Sequence, residues 1–248
     1  MRVYTEFTSN EDIVLPKYYN HVLQGLFYRT ISPPVSDDLH NKGFNIFNKQ
    51  FKLFTFSRIL QHGYKVGEYL NFGKNISIQW SSPLDELIKD FVSNLQKHPI
   101  RLGRNTIRLN NVAYIQRPQL FNRINFRTLS PVTMHTTLID SGERIVHYYK
   151  PTDHRLNKLL TENAIDKYNA WALYTNKPLL TNGRLTLKIV KWNPKHNIVY
   201  VKYKDTEIMG WTGQFILVGT PELINIVYDA GLGDKNSQGF GMWEPVVS

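Results

Sequence analysis

Hydrophobic and polar positions in the first half of the chain predict an ordered series of strands and helices. Residues 2–8 alternate between polar and apolar side chains, as a half-buried strand does. Residues 16–31 and 82–98 carry apolar side chains at helical spacing, and each segment has a proline at or near its start. Segments rich in β-branched and aromatic residues predict strands at 52–59, 75–80 and 106–116. The predicted order, β-α-β-β-α-β, is that of a ferredoxin-like domain.

The second half repeats this order of elements without repeating its residues. Leucine and isoleucine recur at helical spacing in 153–173 and 220–230. Strands are predicted at 124–135, 186–192, 196–204, 215–218 and 242–248, with a turn at 205–213 and a linker at 117–123. The predicted fold is therefore α+β, with two tandem ferredoxin-like (RNA-recognition-motif-like) domains with antiparallel sheets. We place these domains at residues 1–118 and 124–248.

Charge and composition narrow the range of possible functions. The chain has 30 lysines and arginines against 20 aspartates and glutamates, a formal net charge of +10 that is spread over both halves. A basic surface of this extent predicts a polyanionic partner such as nucleic acid. The absence of cysteine excludes disulfides, thiolate metal sites and cysteine nucleophiles. No apolar run approaches the ~20 residues of a membrane span and no signal-peptide pattern is present, so we expect a cytoplasmic protein and no membrane partner.

A glycine-rich segment, GLGDKNSQGFG at residues 231–241, lies between the last predicted helix and the last predicted strand. A mononucleotide-binding glycine loop instead precedes a helix, so that phosphate meets the positive end of the helix dipole. This segment follows the C-terminus of a helix, which is the negative end. Two interpretations stay open: a flexible turn, or a loop whose exposed N–H groups and Lys235 bind a phosphate backbone.

The pattern GLGDKNSQGFGM closely resembles the C-terminal signature of the CRISPR-associated repeat-processing endoribonucleases, the metal-independent RNases that cut precursor CRISPR RNA. A second resemblance lies near the N-terminus, in YNHVLQGLFY at residues 19–28, in Leu39-His40 and in KLFTFS at residues 52–57. The two matches occur in the right order, and the resemblance covers essentially the whole chain. It implies two tandem ferredoxin-like domains and sequence-specific cleavage of CRISPR repeat RNA.

His40 is the first candidate for acid–base chemistry, because histidine alone has an unperturbed pKa near neutrality. It lies in a polar segment just after the first predicted helix. On the residues alone, a lone histidine is more often an ordinary surface or hydrogen-bonding residue. The resemblance implies an acid–base role for His40 on the ribose and phosphate.

Tyr28 and Lys52 are the other candidates for catalysis. Tyr28 lies in the first predicted helix, where its alternative role is core packing, and it deprotonates only if its pKa falls well below about 10. Lys52 begins a predicted strand, where a lysine that faces a cleft neutralises charge on a pentacoordinate phosphate. The resemblance implies that both are catalytic; their rivals within the sequence are Tyr18, Tyr19, Lys42 and Lys49.

The resemblance also implies the reaction. The 2′-hydroxyl attacks the adjacent phosphate, which leaves a 2′,3′-cyclic phosphate and a 5′-hydroxyl end. We assign Tyr28 as general base, His40 as general acid and Lys52 as stabiliser of the transition state, and the first two roles are open to exchange. We expect no cofactor and no metal, because the sequence shows no carboxylate cluster and no histidine pair at ligand spacing.

RNA binding is expected to involve both domains. The predicted contacts are Gly231, Gly233, Lys235, Asn236, Ser237, Gly239, Gly241, Arg29, Arg123 and Arg127. The predicted partner is CRISPR repeat RNA, single-stranded or hairpin, while a CRISPR effector complex and a homodimer stay open. Two other functions also stay open: a non-catalytic RNA-binding scaffold subunit of an effector complex, and a basic DNA-binding protein.

Overall fold

The computed structural model describes residues 1–37, 39, 43–97, 99–140, 143–203 and 205–246. The elements of the N-terminal half are β1 (Arg2–Thr8), β2 (Val14–Pro16), α1 (Asn20–Thr30), α2 (Pro33–Asp37), β3 (Phe44–Ile46), β4 (Lys49–Phe51), β5 (Thr55–Phe56), β6 (Tyr64–Val66), β7 (Tyr69–Asn71), β8 (Asn75–Ser81), α3 (Asp85–Leu95), β9 (Ile100–Leu102) and β10 (Asn105–Ile115). An antiparallel sheet in the order β5-β8-β1-β10-β9 forms the centre of this half. Strands β1, β5, β8 and β10 with α1 and α3 form the expected β-α-β-β-α-β unit.

The helices of this unit pack on the sheet because their apolar side chains recur every three or four residues. Helix α3 begins with two acidic residues, which suit the positive end of its dipole, and buries one apolar face. Aromatic rings join the layers: Phe27 of α1 stacks on Phe54 with ring centroids 4.2 Å apart, and Trp80 of β8 lies 4.9 Å from Phe91 of α3. This aromatic core fixes α1 against the chain that enters β5.

Two boundaries in this half differ from the prediction. Pro16 belongs to the edge strand β2, which pairs with β7, and α1 begins only at Asn20. Proline lacks the N–H that a central strand needs but is tolerated at an edge, so the proline here marks a strand instead of a helix start. The strand predicted at 52–59 is limited to Thr55–Phe56, so Lys52 precedes the strand.

The C-terminal half repeats the same arrangement. Its elements are β11 (Arg123–Thr128), β12 (His135–Asp140), β13 (Glu143–Tyr148), α4 (Leu156–Tyr174), β14 (Leu185–Lys191), α5 (Pro194–Asn197), β15 (Ile198–Tyr203), β16 (Thr206–Trp211), β17 (Gln214–Gly219), α6 (Pro221–Ala230) and β18 (Trp243–Pro245). Its antiparallel sheet has the order β14-β17-β11-β18, which matches β5-β8-β1-β10 of the first half. A second hydrophobic core lies between this sheet and helices α4 and α6. The fold is thus two tandem ferredoxin-like domains with antiparallel sheets, as expected.

Two hairpins of the C-terminal half were not predicted as such. Strands β12 and β13 form one, and its apolar side chains Leu138 and Ile145 are exposed, so it lacks the half-buried alternation that identifies a strand. Strands β15 and β16 form the other, and the turn predicted at 205–213 is wrong because 206–211 pairs with β15. Within the described residues, no helix is long and apolar enough to cross a membrane.

Candidate functional site

The glycine-rich segment, residues 231–241, folds into a compact loop after α6. Its four glycines are buried and have φ between +72° and +93°, a region that other residues rarely adopt. A Cβ at Gly233 would lie 2.3 Å from the carbonyl oxygen of Thr133. The buried side chain of Asn236 closes the loop by donating to the carbonyl oxygen of Phe240 at 3.0 Å. The glycines therefore allow close contact with the protein itself, which differs from the loop of exposed amides that was one of the two interpretations left open by the sequence.

Lys167 of α4 binds the start of this loop. Its Nζ donates to the carbonyl oxygens of Gly231 at 2.7 Å and Gly233 at 2.5 Å. The side chain is only 2% exposed, and this burial lowers the pKa of Lys167 to about 7, an effect that nearby Asp234 partly opposes. The negative end of α6 and the loop carbonyls thus meet a buried hydrogen-bond donor instead of solvent.

Asp234 ties the loop to the neighbouring elements. Its carboxylate accepts from the side-chain amide of Asn163 at 3.0 Å and from the backbone N–H of His135 at 3.0 Å. The same carboxylate lies 2.8 Å from Nδ1 of His135. The backbone N–H of Asp234 in turn donates to Thr133 at 2.7 Å. These contacts fix the orientation of the loop relative to α4 and β12.

The loop also contacts the N-terminal domain directly. The Asn20 side chain donates to the carbonyl oxygen of Gln238 at 2.8 Å, and the Gln24 side chain donates to that of Ser237 at 2.9 Å. The hydroxyl of Thr55 donates to Phe240 at 2.9 Å. One face of α1 and the start of β5 therefore hold the loop of the other domain in place.

A cleft opens where the two domains meet at this loop. This inter-domain cleft has a volume of about 200 Å³, and its lining includes Lys52, Leu53 and Phe54 from one domain and His135, Lys235 and Ser237 from the other. Lys52 and Lys235 are half-buried, and burial lowers the pKa of each. Two lysines from different domains thus face one cavity, an arrangement that favours the binding of an anion such as a phosphate.

Lys52 lies directly after β4, at the point where the chain turns towards β5. Its Nζ donates to the carbonyl oxygen of Leu39 at 2.7 Å. Leu39 is the residue before His40 in the sequence, and His40 itself lies outside the described residues. Among the alternative lysines, Lys42 also lies outside them, and Lys49 forms a salt bridge with Asp166 at 2.5 Å.

Tyr28 lies in the last full turn of α1. Its ring contacts Phe54, which lines the cleft, edge-on with centroids 5.6 Å apart. Burial raises the pKa of Tyr28, and the nearby Tyr203 adds to this effect. The phenol is therefore neutral near physiological pH and suited to donating a hydrogen bond. Of the rival tyrosines, Tyr19 is buried under the loop that follows β5, where its hydroxyl accepts from Ile59.

The three arginines proposed from the sequence lie away from the cleft lining. The Arg29 guanidinium donates to the carbonyl oxygen of Arg101 at 3.2 Å. Arg123 and Arg127 are exposed on β11, and Arg127 pairs with Glu244 of β18 at 2.6 Å. The structure therefore brings Lys52, Lys235 and Ser237 together but not these arginines.

Lys167, His135 and Asp234 were not among the residues proposed from the sequence. Lys167 lies four residues after Asn163 and seven after Leu160, on the buried stripe of α4, but a lysine side chain ordinarily predicts an exposed position. His135 and Asp234 are 99 positions apart, so their pairing has no local signal. Within the described part of the chain, no group of three or more His, Asp or Glu side chains is placed to hold a metal ion.

Two family models together match almost the whole chain. The model described as "CRISPR-associated protein Cas6, N-terminal" matches residues 14–116. The model described as "CRISPR associated protein Cas6, C-terminal" matches residues 115–245, which is more than half of the chain. The second match contains the whole glycine-rich loop.

Full-length relatives agree with these matches. The chain is 28% identical to CRISPR-associated endoribonuclease Cas6 1 of Methanocaldococcus jannaschii, over 98% of this chain and 91% of that protein. It is 27% identical to CRISPR-associated endoribonuclease Cas6 of Pyrococcus furiosus, over 90% of this chain and 81% of that protein. A solved structure described as "CRISPR associated protein Cas6" superposes with a TM-score of 0.78 at 24% identity, covering 100% of this chain and 99% of that one.

Proposed function

The chain belongs to the Cas6 family of CRISPR-associated proteins, and we propose that it is an endoribonuclease that cuts CRISPR repeat RNA in its inter-domain cleft. Relatives of similar length carry the name endoribonuclease, which supports this activity. The observation that carries the proposal is that Lys52 and Lys235, from different domains, line one cavity. A phosphodiester held there lies between two ammonium groups, in a site where partial burial weakens solvent screening.

The proposed cleavage follows the transesterification that the family resemblance implies. The 2′-hydroxyl attacks the adjacent phosphorus, the bond to the 5′-oxygen breaks, and the products are a 2′,3′-cyclic phosphate and a 5′-hydroxyl. Because the nucleophile is already held beside the phosphorus within the RNA, the reaction needs positioning and proton transfer and no metal. Lys52 stabilises the negative charge that accumulates on the phosphoryl oxygens.

The raised pKa of Tyr28 favours the exchanged assignment of the two proton carriers. A phenol that burial keeps neutral is a poor general base, so His40 takes the proton from the 2′-hydroxyl. Tyr28 gives its proton to the departing 5′-oxygen, since an alkoxide is a stronger base than a phenolate. Proton transfer from His40 back to Tyr28 completes the cycle, and the net change is one proton moved from the 2′-oxygen to the 5′-oxygen.

RNA binding in this proposal uses the exposed part of the loop. Lys235 and Ser237 face the cleft and contact the backbone of the RNA. The buried glycines and Asn236 contribute by giving the loop its shape. Arg29, Arg123 and Arg127 contact more distant phosphates, if the bound RNA extends beyond the cleft on either side.

The test is incubation of the protein with its own repeat RNA in the presence of EDTA, followed by analysis of the fragment ends. We expect cleavage at one position, with 2′,3′-cyclic phosphate and 5′-hydroxyl ends. His40→Ala should lower the single-turnover rate by at least ~100-fold while the RNA still binds.

Controls separate the parts of the proposal. A 2′-deoxy substitution at the cut position removes the nucleophile and should abolish cleavage. Tight binding without cleavage of the unmodified RNA would instead identify a scaffold. Cleavage that requires a divalent cation, or that leaves 3′-hydroxyl ends, would contradict the mechanism.

A further inference from the structure

A second and larger cavity lies at the N-terminal end of α1. Its volume is about 630 Å³, within the range of ligand-binding sites. Both domains line it: Tyr18 and Arg58 come from the N-terminal domain, and Val199 and Tyr200 come from β15 of the C-terminal domain. We call this cavity the tyrosine cavity.

The lining of the tyrosine cavity combines aromatic rings with positive charge. Its floor is apolar and includes Tyr19 and Phe72, whose rings meet edge-on at 5.5 Å. Tyr18 and Tyr200 form walls, and Tyr200 is 56% exposed although it is a large aromatic residue. At the rim are Lys17 and Arg58, both exposed.

The charges at the rim are available to a ligand. The Lys17 ammonium lies 5.2 Å from the centroid of the Tyr18 ring, and neither Lys17 nor Arg58 forms a salt bridge with any other described residue. None of the described residues that line the cavity carries a carboxylate. Exposed aromatic rings beside cations are the combination that binds single-stranded nucleic acid, in which bases stack on rings and phosphates meet the charges.

The tyrosine cavity and the inter-domain cleft lie towards opposite ends of α1, because Asn20 lines the first and Tyr28 contacts Phe54, which lines the second. Asn20 at the start of α1 holds the loop on the side of the tyrosine cavity, Gln24 one turn later contacts Ser237 and accepts a hydrogen bond from Tyr203, and Tyr28 follows after another turn. The eight steps along the helix from Asn20 to Tyr28 span about 12 Å. Stacked nucleotides rise by about 3.4 Å each, so three or four of them cover this distance.

We propose that the tyrosine cavity is a stacking subsite for unpaired RNA nucleotides that lie three or more positions from the cut linkage. Tyr200 and Tyr18 stack on the bases, and Arg58 and Lys17 contact the phosphates. This proposal rests on the proposed function, because it concerns the same RNA. It adds a second anchoring point that sets which linkage lies in the cleft.

The experiment measures affinity for repeat RNA that carries the 2′-deoxy substitution at the cut position and therefore stays intact. Tyr200→Ala should weaken binding by at least about fivefold, and Tyr200→Phe, which keeps the ring, should stay within about twofold of the unmodified protein. Arg58→Ala should lower the slope of log K against log salt by about 0.7, the value for one phosphate contact on a single strand. Tyr114→Ala is the matched control, because Tyr114 is 54% exposed on β10 and lies outside the cavity.

Shortened RNAs show whether the effect is local. Two series of the same repeat are trimmed from the 5′ end or from the 3′ end, and the loss caused by Tyr200→Ala should disappear in one series only. Equal affinity of the Tyr200→Ala and Tyr114→Ala variants for the intact repeat would overturn the proposal. A loss that persists on every shortened RNA would also overturn it, because it would reflect a general structural role of Tyr200.

Cleavage of unmodified RNA by the same preparations separates this proposal from the proposed function. Cleavage with no effect of Tyr200→Ala on affinity contradicts the subsite alone. A subsite effect on affinity without any cleavage contradicts the nuclease assignment alone. A shift of the cut position in the Tyr200→Ala variant would support the subsite as a second anchoring point.

Discussion

Replacement of Lys52 by alanine tests the electrostatic part of the proposed chemistry. The ammonium is half-buried and within 2.7 Å of the Leu39 carbonyl oxygen, so its position is fixed next to the segment that leads to His40. Two unit charges 4 Å apart interact by about 4 kcal/mol at an effective dielectric constant of 20. If the transition state carries one more negative charge than the substrate, the loss of about 4 kcal/mol corresponds to a cleavage rate about 1,000-fold lower. Since Lys52 is partly solvated, we expect a loss between about 100-fold and 1,000-fold.

The assay is single-turnover cleavage of repeat RNA with protein in excess, in EDTA at neutral pH. Lys49→Ala is the matched control, because Lys49 lies in β4 three residues before Lys52, is mostly exposed and pairs with Asp166. Its rate should stay close to that of the unmodified protein. Affinity for uncleavable RNA, measured in parallel, shows whether the variant still binds. A rate for Lys52→Ala within about tenfold of the Lys49→Ala rate would refute the role of Lys52 in the transition state.

Three further predictions concern the loop and α1. Gly239→Ala should lower the free energy of unfolding by about 2–4 kcal/mol, because φ is +84° and the new Cβ would lie 2.5 Å from the Phe56 ring. The control is Gly67→Ala, where φ is +60° but the new Cβ would meet open space, so that the loss in the same urea titration should be only about 1 kcal/mol. Burial lowers the pKa of Lys167 from 10.5 to about 7. Between these two pH values the unfolded chain holds a proton on Lys167 that the folded chain does not, so the free energy of unfolding rises with pH across that window. Lys167→Met should remove the corresponding rise of Tm with pH, and an unchanged slope of Tm against pH would contradict this reasoning. Tyr28→Phe should lower the cleavage rate without changing the shape of its pH profile between about pH 6 and 9, since the raised pKa of Tyr28 lies above that range; loss of an alkaline limb would show a phenolate base.

The order of elements could be predicted because most core helices and strands carry a clear period. Helix α3 and strand β8 were placed within a few residues, since each buries a regular set of apolar side chains. Residues 206–211 were missed because glycine and charged residues weaken the alternation, and only the pairing with β15 makes them a strand. The exposed hairpin of β12 and β13 was missed for a related reason: neither face is buried in a core.

The site was predictable only in part. Tyr28 and Lys52 were proposed by resemblance, and their catalytic roles stay predictions. The structure adds that Lys52 lines the inter-domain cleft and that Tyr28 contacts Phe54, which lines the same cleft. The role of the glycines in packing was not visible, because their neighbours, Phe56 and Thr133, are about 100 to 180 positions away in the chain. The burial of Lys167 was not predicted for the same reason: the two loop carbonyl oxygens that it binds are more than 60 positions later in the chain.

The hydrogen bonds from Asn20 to residues 238 and 239 join parts of the chain separated by more than 200 positions. During synthesis on the ribosome, the segment that carries Tyr28 and Lys52 emerges long before the loop that completes the inter-domain cleft. We therefore expect the N-terminal domain to fold first, and the hydrogen bonds of Asn20 to form only after the loop has been synthesised. A polypeptide that ends before residue 231 lacks Lys235 and the other loop residues that line the inter-domain cleft, so we expect it not to cleave RNA.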